Sequence, residues 1–415
     1  MLRRTVERVN KCIGPWDDAF AFSVPRTVRI RDWRLGCTLL AVQVAIGIYV
    51  VLYVLILQQA YLAQATQVGS VRLQLRSPAS AYRWPTAPPY CLGTTAADIS
   101  AKPAGYAVLP GAMYSFNGGT AFPQRLCRFA DSFNALPLTE PSALFLPTEA
   151  RVTRQAATGG AAACANLTDK SCASFLPSES KTDAGVTQRT LLADAEFYTL
   201  RIDHNVAAPA ANIAKAATSL VGRLFSVSGR TVDPCEPYRG GPGSALCPDY
   251  VAIGVPGKID TVSIATLLAA AGVTSLDAPS SENPSISLRE GGLVLFVDIQ
   301  YSNAYLPRGS IPGTGSFSAS NVEYTIRVSA LTEADFKIEE AAPLEGPLAE
   351  GTRVFFNRHG IRVLFSQSGF LGRSDLQTFI VNAVTALGLL SLAIMLVEAV
   401  AFKCWKLGPL YQCVV

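Results

Sequence analysis

Two long apolar stretches, one near each end of the chain, constrain its fold more than any other feature. Residues 36–57 (GCTLLAVQVAIGIYVVLYVLIL) carry no charge, and residues 376–402 (LQTFIVNAVTALGLLSLAIMLVEAVAF) carry only Glu398. About 20 apolar residues in a helix cross the ~30 Å hydrocarbon core of a bilayer, so both stretches are long enough. For the first stretch, a buried core helix or a cleaved signal peptide is the alternative. Its length and the lack of a small-residue cleavage site after it favour a membrane span.

Composition excludes several function classes. Charged residues make up 16% of the chain, against about 25% in typical soluble domains. The net charge is only +4 and no long basic run occurs, so we expect no nucleic-acid partner. The two histidines, His204 and His359, are far apart in sequence, which argues against a histidine-built metal site. The common hydrolase motifs G-x-S-x-G and H-E-x-x-H do not occur, so we expect no enzyme, no metal and no cofactor.

The charges beside the two stretches predict their orientation. Eight positive and four negative side chains precede the first stretch, and Lys403 and Lys406 follow the second. Positive charge favours the cytoplasmic side, so both termini are expected there. The predicted organisation is a cytoplasmic N-terminus at 1–35, transmembrane helix 1 at 36–57, an extracellular or lumenal ligand-binding domain at 58–375, transmembrane helix 2 at 376–402 and a short cytoplasmic tail at 403–415.

The central region is predicted to be rich in β-structure. Runs of branched and aromatic residues with partial period-two alternation occur at 195–203, 292–301, 322–331 and 353–365. We therefore expect one β-rich ectodomain whose two ends return to the membrane.

Six of the ten cysteines lie in that central region. An even number in an oxidising compartment indicates three disulfide bonds, for which 15 connectivities are possible. The candidates are Cys91, Cys127, Cys164, Cys172, Cys235 and Cys247. Cys235 and Cys247 bracket a Gly/Pro-rich loop and are the favoured local pair. Asn166 begins the glycosylation sequon Asn-Leu-Thr and is a candidate for glycosylation.

Two helices cannot enclose a water-filled pore, so a channel built on this plan must be an oligomer. The second apolar stretch carries small or polar residues at a spacing of three: Asn382, Thr385, Gly388 and Ser391. At ~100° per residue, successive members are offset by about 60°, so the four spread over roughly half of the helix circumference. Polar groups inside a membrane usually face a bundle interior or a cavity, which favours a pore wall. Close packing of helices is the alternative.

Several segments form a recognisable series along the chain. The first is PRTVRIRDWRLG with the following span, QQAY and GSVRLQLR, which ends at Arg76. AEFYTLRIDHN (195–205), Cys247-Pro, Gly257-Lys258-Ile259 and Glu290-Gly291-Gly292 follow, and the series ends with the stretch from His359 to Glu398. In this order the segments resemble a known family, the ATP-gated purinergic receptor channels, and the last stretch resembles it without a gap. The similarity is weak or absent across 78–190 and 206–245.

The resemblance implies a homotrimer that binds ATP, or a related nucleotide, between subunits and opens a pore for cations such as Na⁺, K⁺ and Ca²⁺. A family Lys-x-Lys pair falls on Gln74 and Arg76, and an adenine-side threonine falls on Thr199. A further lysine is replaced by Asp203. The implied ligand-binding positions are Gln74, Arg76, Thr199, Thr325, Arg327, Asn357 and Arg358, where Thr325-Ile326-Arg327 stands for an Asn-Phe-Arg motif and Asn357 for a last lysine.

Arg72 and Arg201 are candidates to compensate for the lost lysines. At the gate, the resemblance implies that Val381 and Thr385 form the closed constriction, while Asn382 and Gly388 line or flex the pore. The alternatives are a two-span channel gated by protons or another ligand, and a non-conducting two-span receptor. The sequence is compatible with a location in the plasma membrane or in the membrane of an intracellular organelle.

Overall fold

The structure, a computed structural model, describes residues 33–57, 61–78, 88–92, 113–115, 119–135, 137–160, 170–176, 188–239, 247–303, 322–333, 335–343 and 351–403. The chain divides into two units. One consists of Met1–Tyr61 with Asp375–Val415, and the other is Leu62–Ser374.

The first unit contains the two apolar helices. Helix α1 (Trp33–Ile48) continues as a π-helical segment (Tyr49–Leu57), and the last helix runs from Leu376 to Lys403. Two stretches within them, Gly36–Leu55 and Leu376–Ala399, are long and apolar enough to cross a membrane. Their large side chains, such as Leu387 at 63% exposure, project outward, as expected of helices that contact lipid or partner subunits.

Over its described residues, the second unit contains seventeen strands and two short α-helices, α2 (Ile264–Ala270) and α3 (Leu288–Gly291). The helix Leu376–Lys403 is therefore α4. The strands are β1 (Leu62–Ala65), β2 (Val68–Arg76), β3 (Met113–Ser115), β4 (Ala121–Pro123), β5 (Leu126–Arg128), β6 (Leu138–Glu140), β7 (Ala143–Ala157), β8 (Phe175–Leu176), β9 (Gln188–Leu192), β10 (Thr199–Ala208), β11 (Ile213–Ala216), β12 (Val221–Phe225), β13 (Asp260–Ser263), β14 (Leu293–Ser302), β15 (Glu323–Leu331), β16 (Lys337–Pro343) and β17 (Thr352–Ser374).

These strands form two main sheets. The larger has the order β12-β15-β14-β17-β7-β9-β5, in which β17 also pairs with β1 and β16, and β7 also pairs with β6 and β8. The smaller has the order β11-β10-β13 with β2 beside β10. Strand β17 is 23 residues long and pairs with β1, β7, β14 and β16. Its alternating residues Ile361 and Val363 are fully buried in the core between the sheets. The β-rich character predicted for the central region is confirmed.

Strand limits differ from the sequence prediction at one informative place. The run expected at 195–203 begins its strand only at Thr199, because Ala195–Phe197 form a 3₁₀ turn after Asp194, whose φ is 57°. A left-handed residue of this kind interrupts an extended chain.

Two disulfide bonds lie within the described residues. Cys235 pairs with Cys247, as the sequence favoured, and Cys91 pairs with Cys127. Cys164 and Asn166 lie outside the described residues, as does the side chain of Cys172.

Candidate functional site

The first group of candidate ligand residues shares one face of the smaller sheet. In the antiparallel pair β2–β10, Arg76 stands opposite Thr199 and Gln74 stands opposite Arg201. Directly opposed residues of antiparallel strands point to the same side. Gln74, Arg76, Thr199 and Arg201 therefore form a common face, here called the β2 face.

The side chains on the β2 face differ in accessibility. Thr199 is fully buried, and its Oγ1 has no hydrogen-bond partner among the described residues. Arg76 is exposed, and its guanidinium carbon lies 5.0 Å from the centre of the Tyr250 ring. Asp203, which replaces a family lysine, stands opposite Arg72. The β2 face therefore offers Arg76 as its accessible cation near Gln74.

Thr325 and Arg327 lie on β15, away from Asn357. Arg327 stands opposite Asp298 of β14, and Asp298 stands beside Ser366 of β17. Ser366 and Asn357 are nine residues apart on that strand (366 minus 357). Nine residues of extended chain span about 30 Å. Within one chain, Arg327 therefore does not converge with Asn357, and its register partner is Asp298.

The strand that pairs with β17 at Asn357 is β16. Glu339 stands opposite Asn357, and Lys337 stands opposite His359. This placement favours Asp335-Phe336-Lys337 over Thr325-Ile326-Arg327 as the counterpart of the family's Asn-Phe-Arg motif. The sequence analysis missed Lys337, although the tripeptide keeps the phenylalanine and one basic residue.

Arg358 points away from Asn357. Successive side chains of a strand alternate between its two faces, so neighbours in sequence cannot share one. The guanidinium of Arg358 forms an ion pair with Glu340, and only 9% of the residue is exposed. Its burial lowers the pKa of Arg358. Asn357 occupies the position of a family lysine, and Arg358 points to the opposite face of the sheet. Arg358 therefore does not supply the missing charge on the Asn357 side.

Two further arginines lie on the Asn357 side of the large sheet. Arg151 of β7 stands opposite Asn357, and Arg189 of β9 stands opposite Arg151. Together with Lys337 and His359, these residues define what we call the β16 face. Neither arginine was a candidate from the sequence, because their proximity depends on the pairing of strands that are distant along the chain.

Two buried carboxylates partly neutralise the β16 face. Glu149, only 1% exposed, accepts hydrogen bonds from Nε and Nη2 of Arg151 at 3.1 and 2.9 Å and forms an ion pair with Arg189. Glu290 pairs with Arg189 Nη2 at 3.2 Å and with Arg125 Nε at 3.0 Å. Three arginines thus surround two carboxylates, while Lys337 forms an ion pair with Glu339, so the excess in this region is a single positive charge.

The pKa of His359 reflects its burial and the positive charges of the β16 face. Burial, followed by the positive charge of Arg151, lowers the pKa of His359 to about 4. Its Nδ1 lies 3.2 Å from the backbone oxygen of Gly291. The imidazole is therefore neutral near pH 7 and adds no charge to this face.

The candidate gate residues lie on α4. The carboxylate of Asp375 accepts hydrogen bonds from Thr378 N at 2.9 Å and Thr378 Oγ1 at 2.7 Å, which caps the helix start. Val381 is 57% exposed, and Thr385 Oγ1 donates to the backbone oxygen of Val381 at 2.8 Å. Gly388 has open space beyond its Cα. In the single chain, Val381, Thr385 and Gly388 remain accessible to a lumen or a neighbouring subunit.

Comparison with known proteins identifies the family. No protein-family model matches the chain. P2X receptor A of Dictyostelium discoideum is 30% identical over 390 residues, covering 94% of this chain and 87% of that receptor. The chain belongs to the P2X receptor family. P2X receptor E of the same organism is 29% identical over 398 residues, covering 96% of this chain and 87% of that receptor.

Solved P2X receptors give matches at lower similarity. The receptor from the Gulf Coast tick, crystallised with ATP and Zn²⁺, is 14% identical with a TM-score of 0.46, and the match covers 88% of this chain and 99% of that one. P2X receptors are ATP-gated cation channels of the membrane and not enzymes. The resemblance noted in the sequence and the predicted class, a membrane protein with two apolar helices around a β-rich disulfide-containing domain, are both confirmed.

Proposed function

We propose that this protein is a homotrimeric cation channel opened by ATP, which binds between neighbouring subunits on the extracellular or lumenal side. The observation that carries the proposal, beyond family membership, is the division of cationic side chains between two faces. Arg76 lies on the β2 face of the smaller sheet, and Lys337, Arg151 and Arg189 lie on the β16 face of the larger one.

A triphosphate needs several cationic groups that converge on it, and arginine is suited to such contacts. Neither face alone supplies as many accessible cations as the family's lysines would. A site shared between the β2 face of one subunit and the β16 face of the next combines them. Residues 58–375 would then lie outside the cytoplasm, and Na⁺, K⁺ and Ca²⁺ are the cations we expect to permeate.

Planar-bilayer recording of the purified, reconstituted protein tests this function, and the assay does not depend on which membrane holds the protein in the cell. ATP added on the ectodomain side should evoke cation current. Arg76→Ala and Lys337→Ala should each raise the half-activating ATP concentration by about 10- to 150-fold, since a charge-assisted hydrogen bond contributes roughly 1.5–3 kcal/mol. Arg327→Ala is the matched control, because Arg327 lies opposite Asp298 on β14 and away from Asn357, so this variant should leave the ATP response unchanged.

The alternatives give different results. Current evoked by protons or by another ligand, with no response to any nucleotide, would favour a different gating stimulus. No current under any ligand would favour a non-conducting receptor. An ATP response that is lost in Arg327→Ala but kept in Lys337→Ala would favour Thr325-Ile326-Arg327, the motif position indicated by the sequence, as part of the ATP site.

The proposed gate makes its own prediction. In a background with Cys37, an exposed thiol, changed to serine, Val381→Cys and Thr385→Cys should react with an aqueous thiol reagent faster when ATP is present. Leu387→Cys is the control, since it lies about 240° around the helix from Val381. Equal reactivity at Val381 with and without ATP would rule out the constriction there.

A further inference from the structure

A cavity of about 490 Å³ lies on the large sheet, on the side opposite the β16 face. Arg358 of β17 and Ala150 of β7 line it, and these two residues stand opposite each other. Their neighbours in sequence, Asn357 and Arg151, point to the β16 face, because successive side chains of a strand alternate between its faces. We call this space the rear cavity. Its volume is in the range of small-molecule sites, ~300–1,000 Å³.

The floor of the rear cavity is apolar. Val354 and Phe356 of β17, Val152 of β7 and Leu192 of β9 line it. Phe356 stands opposite Val152, so their side chains point to the same side of the sheet. Leu192 is buried, whereas the other three side chains are only half-buried. The floor therefore keeps apolar surface that an apolar ligand would cover.

Three arginines from three different strands also line the rear cavity. They are Arg128 of β5, Arg154 of β7 and Arg358 of β17. Glu149 is the one acidic residue among the described residues that line it, and both of its carboxylate oxygens accept hydrogen bonds from arginines of the β16 face. Glu340, which pairs with Arg358, is 52% exposed, so solvent screens its charge. The rear cavity therefore has an excess of positive charge that a bound anion would balance.

One end of the rear cavity is a depression between two of these arginines. Thr190 of β9 stands opposite Ala150, and Ala150 stands opposite Arg358. Arg128 lies on β5, the strand on the far side of β9. Alanine and threonine are small, so the long side chains of Arg358 and Arg128 flank the space above them. We call this depression the arginine end.

The third arginine lies at the other end of the floor. Arg154 stands opposite Val354, and Val354 precedes Arg358 by four residues on β17. Four residues of extended chain span about 13 Å. The apolar floor therefore runs from the arginine end toward Arg154.

We infer that the rear cavity binds a small amphipathic anion, a carboxylate or sulfate on a short alkyl chain. The anionic group lies between Arg128 and Arg358, and the chain lies along the apolar floor. The guanidinium fork of arginine matches the planar oxygens of such a group, and covering the floor removes apolar surface from water. This site is separate from the β2 and β16 faces, so the inference goes beyond the proposed function.

The test measures binding of octanoate to the full-length protein in lipid nanodiscs, without nucleotide. A ligand of the folded state raises Tm in a saturable way, and the dependence on concentration gives its Kd. Octanoate should produce such a rise. 1-Octanol, which lacks the charge, should bind about 10- to 150-fold more weakly. Acetate, which lacks the chain, should produce no rise at the same concentrations.

Variants of the arginine end locate the anionic group. Arg128→Gln should weaken octanoate binding by about 10- to 150-fold, because it removes a charge-assisted hydrogen bond. Arg128 is exposed, so the change should not disturb folding. Arg230→Gln, at an exposed arginine on the turn after β12, is the matched control and should leave octanoate binding unchanged. Arg154→Gln should change the Kd by about twofold or less, since salt screens charges separated by more than ~8 Å.

A cavity-filling variant tests the space itself. Ala150→Leu places an apolar side chain in the depression and should abolish the octanoate-dependent rise in Tm. The same nanodiscs are used, so any effect of octanoate or 1-octanol on the lipid is common to both proteins. If Ala150→Leu fails to fold, Arg128→Gln still decides the outcome.

Several results would overturn the inference. No saturable binding to the wild-type protein is one, and equal affinity for octanoate and 1-octanol is another. Octanoate binding that is unchanged in Arg128→Gln shows that the anionic group lies elsewhere. A change in oligomer mass for Arg128→Gln, measured by light scattering, shows that a neighbouring subunit fills the cavity instead. None of these measurements uses ATP, so a failure of the proposed gating and a failure of this site are distinguishable.

Discussion

Arg289 offers the sharpest test of what stabilises the ectodomain. Its side chain is fully buried at α3, with Nε donating to Asp277 Oδ1 at 2.9 Å and Nη1 donating to Glu196 Oε2 at 3.2 Å. Its guanidinium also lies 3.7 Å from the ring centre of Tyr90. Burial alone would lower the pKa of Arg289, but Asp277 and then Glu196 outweigh it and raise that pKa well above its usual value.

Arg289→Met keeps much of the volume and removes the charge. It leaves two carboxylates that are only 13% and 17% exposed without their counter-ion. Loss of one partner of a buried ion pair costs about 3–5 kcal/mol. The ectodomain unit, Leu62–Ser374, has 313 residues (374 − 62 + 1). With an unfolding entropy of ~2.1 cal/mol/K per residue, that cost lowers Tm by about 5–8 °C.

Thermal unfolding of the detergent-solubilised full-length protein measures this shift. Arg239→Met is the matched control, because the pair of Arg239 with Asp233 is largely exposed and should contribute little. Adding Glu196→Gln and Asp277→Asn to Arg289→Met should recover at least half of the lost Tm. A shift for Arg289→Met no larger than that of Arg239→Met would refute the reasoning.

Three further predictions concern stability. Replacing both cysteines of the Cys235–Cys247 disulfide, which closes a loop of 12 residues, with serine should lower the free energy of unfolding by about 3 kcal/mol. The measurement is a lower Tm, and an unchanged Tm would mean that this disulfide does not stabilise the fold. Burial lowers the pKa of His359 to about 4, below its unfolded value of about 6.5. As pH falls from about 6.5 to about 4, the unfolded state binds the proton before the folded state does, so the free energy of unfolding decreases. His359→Gln should flatten that part of a Tm–pH profile, and identical profiles would contradict it. Gly369→Ala should prevent accumulation of folded protein, because the φ of Gly369 is +128° and a Cβ there would lie 2.1 Å from a backbone oxygen. Gly272→Ala should be tolerated at a cost of about 1 kcal/mol, because Gly272 has φ +81° and open space around it. Equal yields of the two variants would refute the steric argument.

Local sequence patterns predicted much of the fold. The two apolar stretches and the β-runs were readable because a helix crossing lipid and a half-buried strand impose their own periods on neighbouring residues. The Cys235–Cys247 pair was readable for a similar reason, since its two cysteines are close along the chain.

The candidate site was predictable only in part. The positions of Gln74, Arg76 and Thr199 followed from segments that resemble the family, and the structure places them on one face. For the family's Asn-Phe-Arg motif, the sequence favours Thr325-Ile326-Arg327 and the strand register favours Asp335-Phe336-Lys337, because a match of three residues does not say which strand pairs with β17. Strand register identified Lys337 instead.

The sequence by itself determined the class of this protein: two membrane-length helices around one β-rich, disulfide-linked domain, with family segments in order at both ends. The tertiary structure alone decided which cations stand together. Arg151, Arg189 and Lys337 lie on strands far apart in the chain, and Arg128 and Arg358 line one cavity although they come from distant strands. The physical reason is that side-chain direction along a strand is local, whereas the pairing of strands is set by the packing of the whole core.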